Sequence, residues 1–519
     1  MTRTTSWYAI SSIRHLKTVQ DGSRVDGKLR KTTVTQKEAL DSLDFGSVNS
    51  EEEVDLDRLF VQTQDFRSFL DPKIWVILGA KGTGKSALFE YFTKYEATAR
   101  MASGAALQNV ILGAATGFGD LSEIATQDFE DLKSTASGYD HTKLWRLYIA
   151  VKAGLALPTS ISVPRGPLKD LRTAIGGDRD FRVGPLLAEL WTLAIGRAPE
   201  SVTISAKGAS VSIKGGRANL DVTSILKEID DALAAKDKTF WLMFDKVDEI
   251  WPQDRAERKR ALEGLMSAAM DLRKKFPRIQ PIIFMRTDLW GELDFTNKDH
   301  ILGKYITLDW SPDDMASLLV KRAVQAPSVR AYIEGRDPGV TGRSVDAWSM
   351  KERLFALKCV FPETPYSGPN ESSIESWIVE RVTDGNGTAL PRDAIVLATF
   401  ATDEQRKMHE LADHSLISRP AIREGYTLAS RAKASHYLSE FPELKSHFRR
   451  FANQQSATFS RQELLDLMEG LQPSGDELLE RLHEIGLIRP NAEDILTASG
   501  FEIPRLFRKG LGFMIPGRP

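Results

Sequence analysis

Between Lys73 and Ser86 the chain reads KIWVILGAKGTGKS, a short apolar run that breaks into Gly79-Ala80-Lys81-Gly82-Thr83-Gly84-Lys85-Ser86. This is G-x-x-x-x-G-K-S without a mismatch. Glycines at 79, 82 and 84 let the backbone curl tightly enough to aim successive N–H groups at a chain of phosphates. Lys85 then reaches the β- and γ-phosphates, and the Ser86 hydroxyl ligates Mg²⁺. The apolar-periodic segment Ala87–Tyr95 supplies a helix whose positive N-terminal end faces the anion. The expected cofactors are ATP and Mg²⁺. The expected contacts are Gly79, Ala80, Lys81, Gly82, Thr83, Gly84, Lys85, Ser86 and Leu88.

A second polar group follows the apolar run Phe240–Phe244, in the stretch FWLMFDKVDEIW. A buried parallel strand of this kind ends in a carboxylate that meets the Mg²⁺ shell, which assigns Asp245 as the metal-side acid beside Ser86. Asp248 and Glu249 come within one helical turn and are the remaining acids able to orient or deprotonate a water. A third strand, Gln280–Met285, ends in Arg286-Thr287-Asp288. Arg286 at that tip can reach a γ-phosphate; equally, it can pair with Asp288 or with an acid of the Asp245 loop. Arg392, on the first turn of a helix opened by Pro391, faces the nucleotide if that helix belongs to a lid.

The elements that must hold these groups alternate strand and helix, the pattern of an α/β fold with a parallel sheet. Upstream, Phe45–Leu70 has helical spacing, with Ser50 as an N-cap and Glu53 three residues on. Residues 109–116 read as a strand, and Lys143–Leu155 and Leu186–Ile195 as helical patches. The stretch 201–216 reads as a hairpin turning at Lys207-Gly208. Arg255–Lys275 reads as a charged amphipathic helix. From Ser311 the pattern is helical, with Pro312–Val324, Ile374–Val382 and the helix from Leu390. At the end, helices at Thr458–Leu471 and Asp476–Ile488 precede a β-rich 501–517, the order of a winged helix. The expected architecture is a basic N-terminal segment (1–44), a P-loop NTPase core (45–310) with an insertion at about 117–235, a helical lid (311–455) and a C-terminal winged-helix domain (456–519).

The chain has 519 residues, 42% hydrophobic and 27% charged, which suits several folded domains. Its formal net charge of −2 gives no overall pull toward nucleic acid. Local excess exists at two places. Residues 1–37 carry eight bases against two acids, and Arg505, Arg508, Lys509 and Arg518 stand against Glu502. Either can touch DNA or RNA; a solvated leader and a protein-docking winged helix are the alternatives. The single cysteine, Cys359, excludes an intrachain disulfide and fits a cytoplasmic protein. No apolar run nears the roughly 18 residues needed to span a membrane. The eight histidines show no zinc spacing.

Together GAKGTGKS, FDKVDEIW, FMRTD with Asn297-Lys298 downstream, PRDAI and the terminal winged helix resemble a bacterial family of P-loop ATPases related to STAND-type signalling ATPases and to the origin-recognition branch of AAA+ proteins. The lead-in FGSVNSEEEVDLDRLF resembles that family's as well. The resemblance implies Arg286 at a sensor position, Arg392 at a second sensor, and a link to anti-phage or mobile-element systems through a partner effector. AAA+ enzymes commonly carry a catalytic Glu directly after the strand acid, whereas this chain has Lys246. A lysine there is no general base unless its pKa is strongly lowered. Asp248 or Glu249 then takes the role, or ATP acts mainly as a conformational ligand. No arginine lies between Asp288 and Lys321, where a finger acting in trans is often found; oligomerisation through another surface stays open. The leading expectation is an ATP-hydrolysing conformational switch. The alternatives are a nucleic-acid module with structural ATP and a P-loop kinase.

Overall fold

A computed structural model describes residues 34–116, 141–158, 161, 201–206, 209–214, 222–249, 255–408 and 410–514. The leader 1–33, the patch Leu186–Ile195, the Lys207-Gly208 turn and Arg518 lie outside these residues.

In chain order the first seven strands are Val76–Gly79 (β1), Val110–Thr116 (β2), Ser201–Ala206 (β3), Ala209–Lys214 (β4), Thr239–Asp245 (β5), Ile279–Arg286 (β6) and Tyr305–Thr307 (β7). Strands β3 and β4 form the expected antiparallel hairpin, with Val202 opposite Ile213. The other five build one parallel sheet in the order β2-β5-β6-β1-β7. Strand β6 therefore separates the phosphate-loop strand from the strand that ends in Asp245. Side chains alternate between the two faces of a strand, and both faces here are covered, so the strands read as continuous apolar runs. Phe240, Leu242 and Phe244 pack against the helices His141–Ala156, Val222–Ala234 and Arg255–Lys275. Trp241 and Met243 face the opposite layer, with Phe66, Phe69, Phe89 and Phe92.

The stretch 45–70 corrects the expected helix. It is broken into a 3-10 turn at Ser50–Glu52 and short helices at Leu56–Leu59 and Gln64–Phe69, the last capped by Thr63. Glu53 does not reach back to cap Ser50. Its carboxylate accepts from the Ser47 amide at 3.1 Å and pairs with Arg322 at 2.9 Å, and that long-range demand outweighs the local capping box.

The helical body is built on Pro312–Ala323, with the expected Ser311 cap, and on the antiparallel pair Pro391–Lys407 and Arg419–Glu440. That pair packs closely because Gly425 sits against Ala401, where an added Cβ would lie 2.6 Å from backbone. Beyond it, Thr458–Ser460 (β8), Arg489–Pro490 (β9) and Gly500–Glu502 (β10) form the antiparallel sheet β8-β10-β9 of a winged helix, with helices at Arg461–Leu467 and Gly475–Glu484. The expected β-rich tail is corrected: after β10 the chain turns at Pro504 into a short helix, Arg505–Arg508, which buries Leu506 and Phe507. Among the described residues no helix is long and apolar enough to cross a membrane.

Asp384 sits in the loop between the helices Ile374–Val382 and Pro391–Lys407 of the helical body, where the next residue, Gly385, donates its amide to the Gly486 carbonyl of the winged helix at 2.6 Å. Asp384 accepts the amides of Asn386 and Thr388 at 3.0 Å, and Gly486 packs on its side chain. Burial pushes its carboxyl up to about 6, against those two hydrogen bonds. A raised carboxyl favours the folded state fully below the unfolded value near 3.8, and this contribution is lost as the pH rises through about 6. Asp384→Asn keeps an acceptor and removes the titration. Its unfolding free energy relative to the wild type, from urea titrations, should climb between pH 4 and pH 6, by up to roughly 3 kcal/mol, and stay level above. A difference independent of pH would contradict this assignment.

Candidate functional site

The loop after β1 is shaped by glycine. Gly82 and Gly84 have φ of 95° and 98°, a left-handed region that other residues enter only at a cost. At Gly79 a Cβ would lie 2.4 Å from the Thr83 hydroxyl, which itself bonds the Ala80 carbonyl. Lys85 opens the helix Lys85–Thr93 and folds back over the loop, donating to the carbonyls of Gly79 at 2.7 Å and Ala80 at 3.0 Å.

These residues form one wall of a cavity of about 400 Å³. The structure brings Lys81 through Leu88, Asp245, Glu249, Arg286 and Arg392 to it together. Gly79 and Ala80 lie just behind, where their carbonyls meet Lys85. Asp248 is on the 3-10 turn Val247–Glu249; its side chain is outside the described residues. Arg392 arrives from the helical body, its backbone amide 3.5 Å from the Gly82 carbonyl. The apolar end is lined by Leu56, Leu59, Phe60, Val61, Leu318 and Ile395, a surface suited to a flat ring.

The cation end of the cavity fits a nucleotide-borne Mg²⁺. Ser86 and Asp245 share the wall, and Asp245 as a residue is only 4% exposed. Glu90, one turn beyond Ser86, is also buried, and its Oε2 has no hydrogen-bond partner among the described residues. Burial raises its carboxyl, with the charges of Glu51 and Asp245 adding to that against Lys94. Such crowded carboxylates favour a divalent cation. Among the described residues no cluster of three or more His, Cys, Asp or Glu fits a metal by itself, so the phosphates would have to complete the shell.

Of the two readings for Arg286, the structure shows the pairing with Asp288, at 3.0 and 2.7 Å, and adds a contact to Glu440 at 3.5 Å. Lys246 has φ of 56° and pairs with Glu51 at 2.5 Å. That carboxylate holds the ammonium above its usual range despite burial, so Lys246 stays protonated and is no base.

Three functional neighbours were not singled out by sequence reasoning. Trp310 donates its indole N–H to the Thr83 carbonyl at 2.9 Å, tying the phosphate loop to the start of the helical body. Its only sequence signal is its place before the Ser311 cap. Glu51 lies in an acidic run that looks like solvated surface. Glu440 ends a helix more than three hundred residues downstream and carries no signal at all. In the winged helix, Arg505 pairs with Glu380 at 3.6 Å and Arg508 with Glu502 at 2.5 Å. These bases are therefore engaged within the chain rather than set out as a row for phosphates.

No family model matches the chain. The "Putative transposon gamma-delta 80.3 kDa protein" of Escherichia coli (strain K12) is 24% identical over an alignment of 296 residues, and the match covers 54% of this chain and 39% of that protein. The match thus spans well under half of that relative. Similar solved structures include the Aeropyrum pernix ORC2 protein in ADPNP–ADP complexes, with 13% identity, a TM-score of 0.33 and coverage of 84% of this chain and 86% of that one. The Aeropyrum pernix ORC1 protein in complex with DNA gives 10%, 0.31, 88% and 91%. Cdc6p from Pyrobaculum aerophilum gives 12%, 0.27, 94% and 96%. The assignment of a P-loop α/β core rests on the loop and the strand order themselves.

Trp310→Phe keeps the ring and removes the bond to Thr83. A neutral hydrogen bond contributes about 1 kcal/mol, so nucleotide affinity measured by fluorescence titration should fall about three- to tenfold. Unchanged affinity would show that the clamp does not shape the loop.

Proposed function

We propose that the protein is an ATP-binding conformational switch that hydrolyses ATP slowly. The observation that carries this reading is the shared cavity: Lys85, Ser86, Asp245 and Arg286 line it from the α/β core and Arg392 from the helical body. A ligand bound there touches both bodies, and its differential affinity for their arrangements moves the equilibrium between them.

On this reading the loop amides and Lys85 hold the phosphates. Ser86 and Asp245 hold Mg²⁺, which neutralises phosphate charge when bound. Arg286 and Arg392 stabilise charge at the terminal phosphate. Glu249, exposed at the rim, is the acid that orients water, and Lys246 in the neighbouring position makes turnover slow. The winged helix serves as a dock for a partner protein, in keeping with the pairing of Arg505 and Arg508. We place the protein in a bacterial defence or mobile-element system acting through an effector; the transposon-borne relative supports the second setting.

Lys85→Ala should weaken binding of a fluorescent ATP analogue at least ~30-fold, since an ionic hydrogen bond is worth about 2 kcal/mol. Glu249→Gln should leave affinity within about twofold and lower phosphate release about tenfold or more. Equal binding by wild type and Lys85→Ala would sink the reading. Full turnover by Glu249→Gln would remove only the assigned acid.

A further inference from the structure

Glu440 is the last residue of the long helix Arg419–Glu440 and belongs to neither the phosphate loop nor the sheet. Its carboxylate nevertheless meets two cations of the cavity wall. Oε2 lies 2.9 Å from Lys81 Nζ, and Oε1 lies 3.5 Å from Arg286 Nη1. His436, one turn back, approaches Oε2 at 3.3 Å. Burial would raise this carboxyl, yet Lys81, Arg286 and His436 together hold it below the usual range, so it stays ionised. Lys81 and Arg286 line both the main cavity and a small adjoining one that contains Glu440. They stand between the nucleotide space and this helix end.

The same helix end is bound to the winged helix. Tyr437 donates its hydroxyl to the Ile485 carbonyl at 3.0 Å. Beside it, Glu484 lies 3.5 Å from Arg255 of the core. A chain of contacts therefore runs from Lys81 and Arg286 through Glu440 and Tyr437 to the terminal domain.

We propose that Glu440 is the residue through which the protein tells ATP from ADP: its carboxylate holds Lys81 and Arg286, and a terminal phosphate displaces it from them. This rests on the ATP-switch reading and names how that switch is read. The phosphate carries more charge than one carboxylate and competes for both cations at once. ADP lacks that group and leaves the contact closed. Once displaced, Glu440 no longer fixes its helix end, and the winged helix is released from the core. Glu440 is thus a positioning residue that acts through Lys81 and Arg286.

The test compares full-length wild type with Glu440→Gln, titrated with fluorescent ATP and ADP analogues in Mg²⁺. Loss of a general negative field would tighten both nucleotides alike, whereas the proposed competition changes their ratio. Glu440→Gln should bind ATP about tenfold more tightly and ADP within about twofold. A second readout places dyes at Met101→Cys and Leu496→Cys, both exposed, in a Cys359→Ser background. Energy transfer should change on adding ATP but not ADP to the labelled wild type, and should be shifted already without nucleotide in Glu440→Gln. Tyr437→Phe should shift the transfer and, because the coupling is reciprocal, raise the ATP:ADP affinity ratio in the same direction but by less than Glu440→Gln does. An unaltered ATP:ADP ratio in Glu440→Gln, with wild-type transfer, would overturn the proposal while leaving ATP binding intact. Failure of the wild type to bind either nucleotide would overturn both readings.

Discussion

Positive charge gathered in one cavity is the constraint on which the rest depends. Lys81, Lys85, Lys246, Arg286, Arg322 and Arg392 all line the same space. Two like charges 4 Å apart near a protein surface repel by about 4 kcal/mol. The chain offsets this with carboxylates, three of them drawn from distant stretches: Glu51 on Lys246, Glu53 on Arg322 and Glu440 shared by Lys81 and Arg286, beside the local Asp288 on Arg286. Two of these come from the lead-in segment and one from the far end of the helical body. The phosphate end is therefore tied electrostatically to the lead-in, the α/β core and the helical body. Any anion that enters competes with those ties, which is the physical ground for reading the site as a switch.

The sheet sets where this can happen. Connections leave β1 toward β2 on one side, while β7 lies on the other, so a crevice opens beyond the C-terminal ends of β1 and β6. Placing β6 between β1 and β5 puts Arg286 between the phosphate loop and Asp245. The helical body then closes the crevice from above, held by Trp310 on Thr83 and by the approach of Arg392 to Gly82. Both contacts are made to loop backbone. Shifts of the glycine-rich loop are in this way felt directly at the start of two lid helices.

The phosphate loop was readable from sequence because its chemistry is local and contiguous. Strands β5 and β6 were readable because burial on both faces leaves apolar runs that end in a polar tip. The lead-in was not, because its helical spacing competes with the buried Arg322, which takes the carbonyls of Phe45 and Ser47 as well as the Glu53 carboxylate. The tail after β10 has the composition of a strand without being one. Its apolar density comes from Leu506 and Phe507, which reach the core from a short helix begun by Pro504. Glu440 was illegible in principle: an acid at a helix end looks the same in sequence whether it is solvated or holds an arginine from another domain.

The central claim is that occupancy of the phosphate end is felt at the winged helix. Hydrogen exchange of the whole protein, with Mg²⁺ and either ATP or ADP, tests it most directly. The account predicts that both nucleotides protect the loop amides at 80–88, and that ATP alone speeds exchange at 437–441 and 484–486. Protection confined to the loop, identical for the two nucleotides, would contradict it.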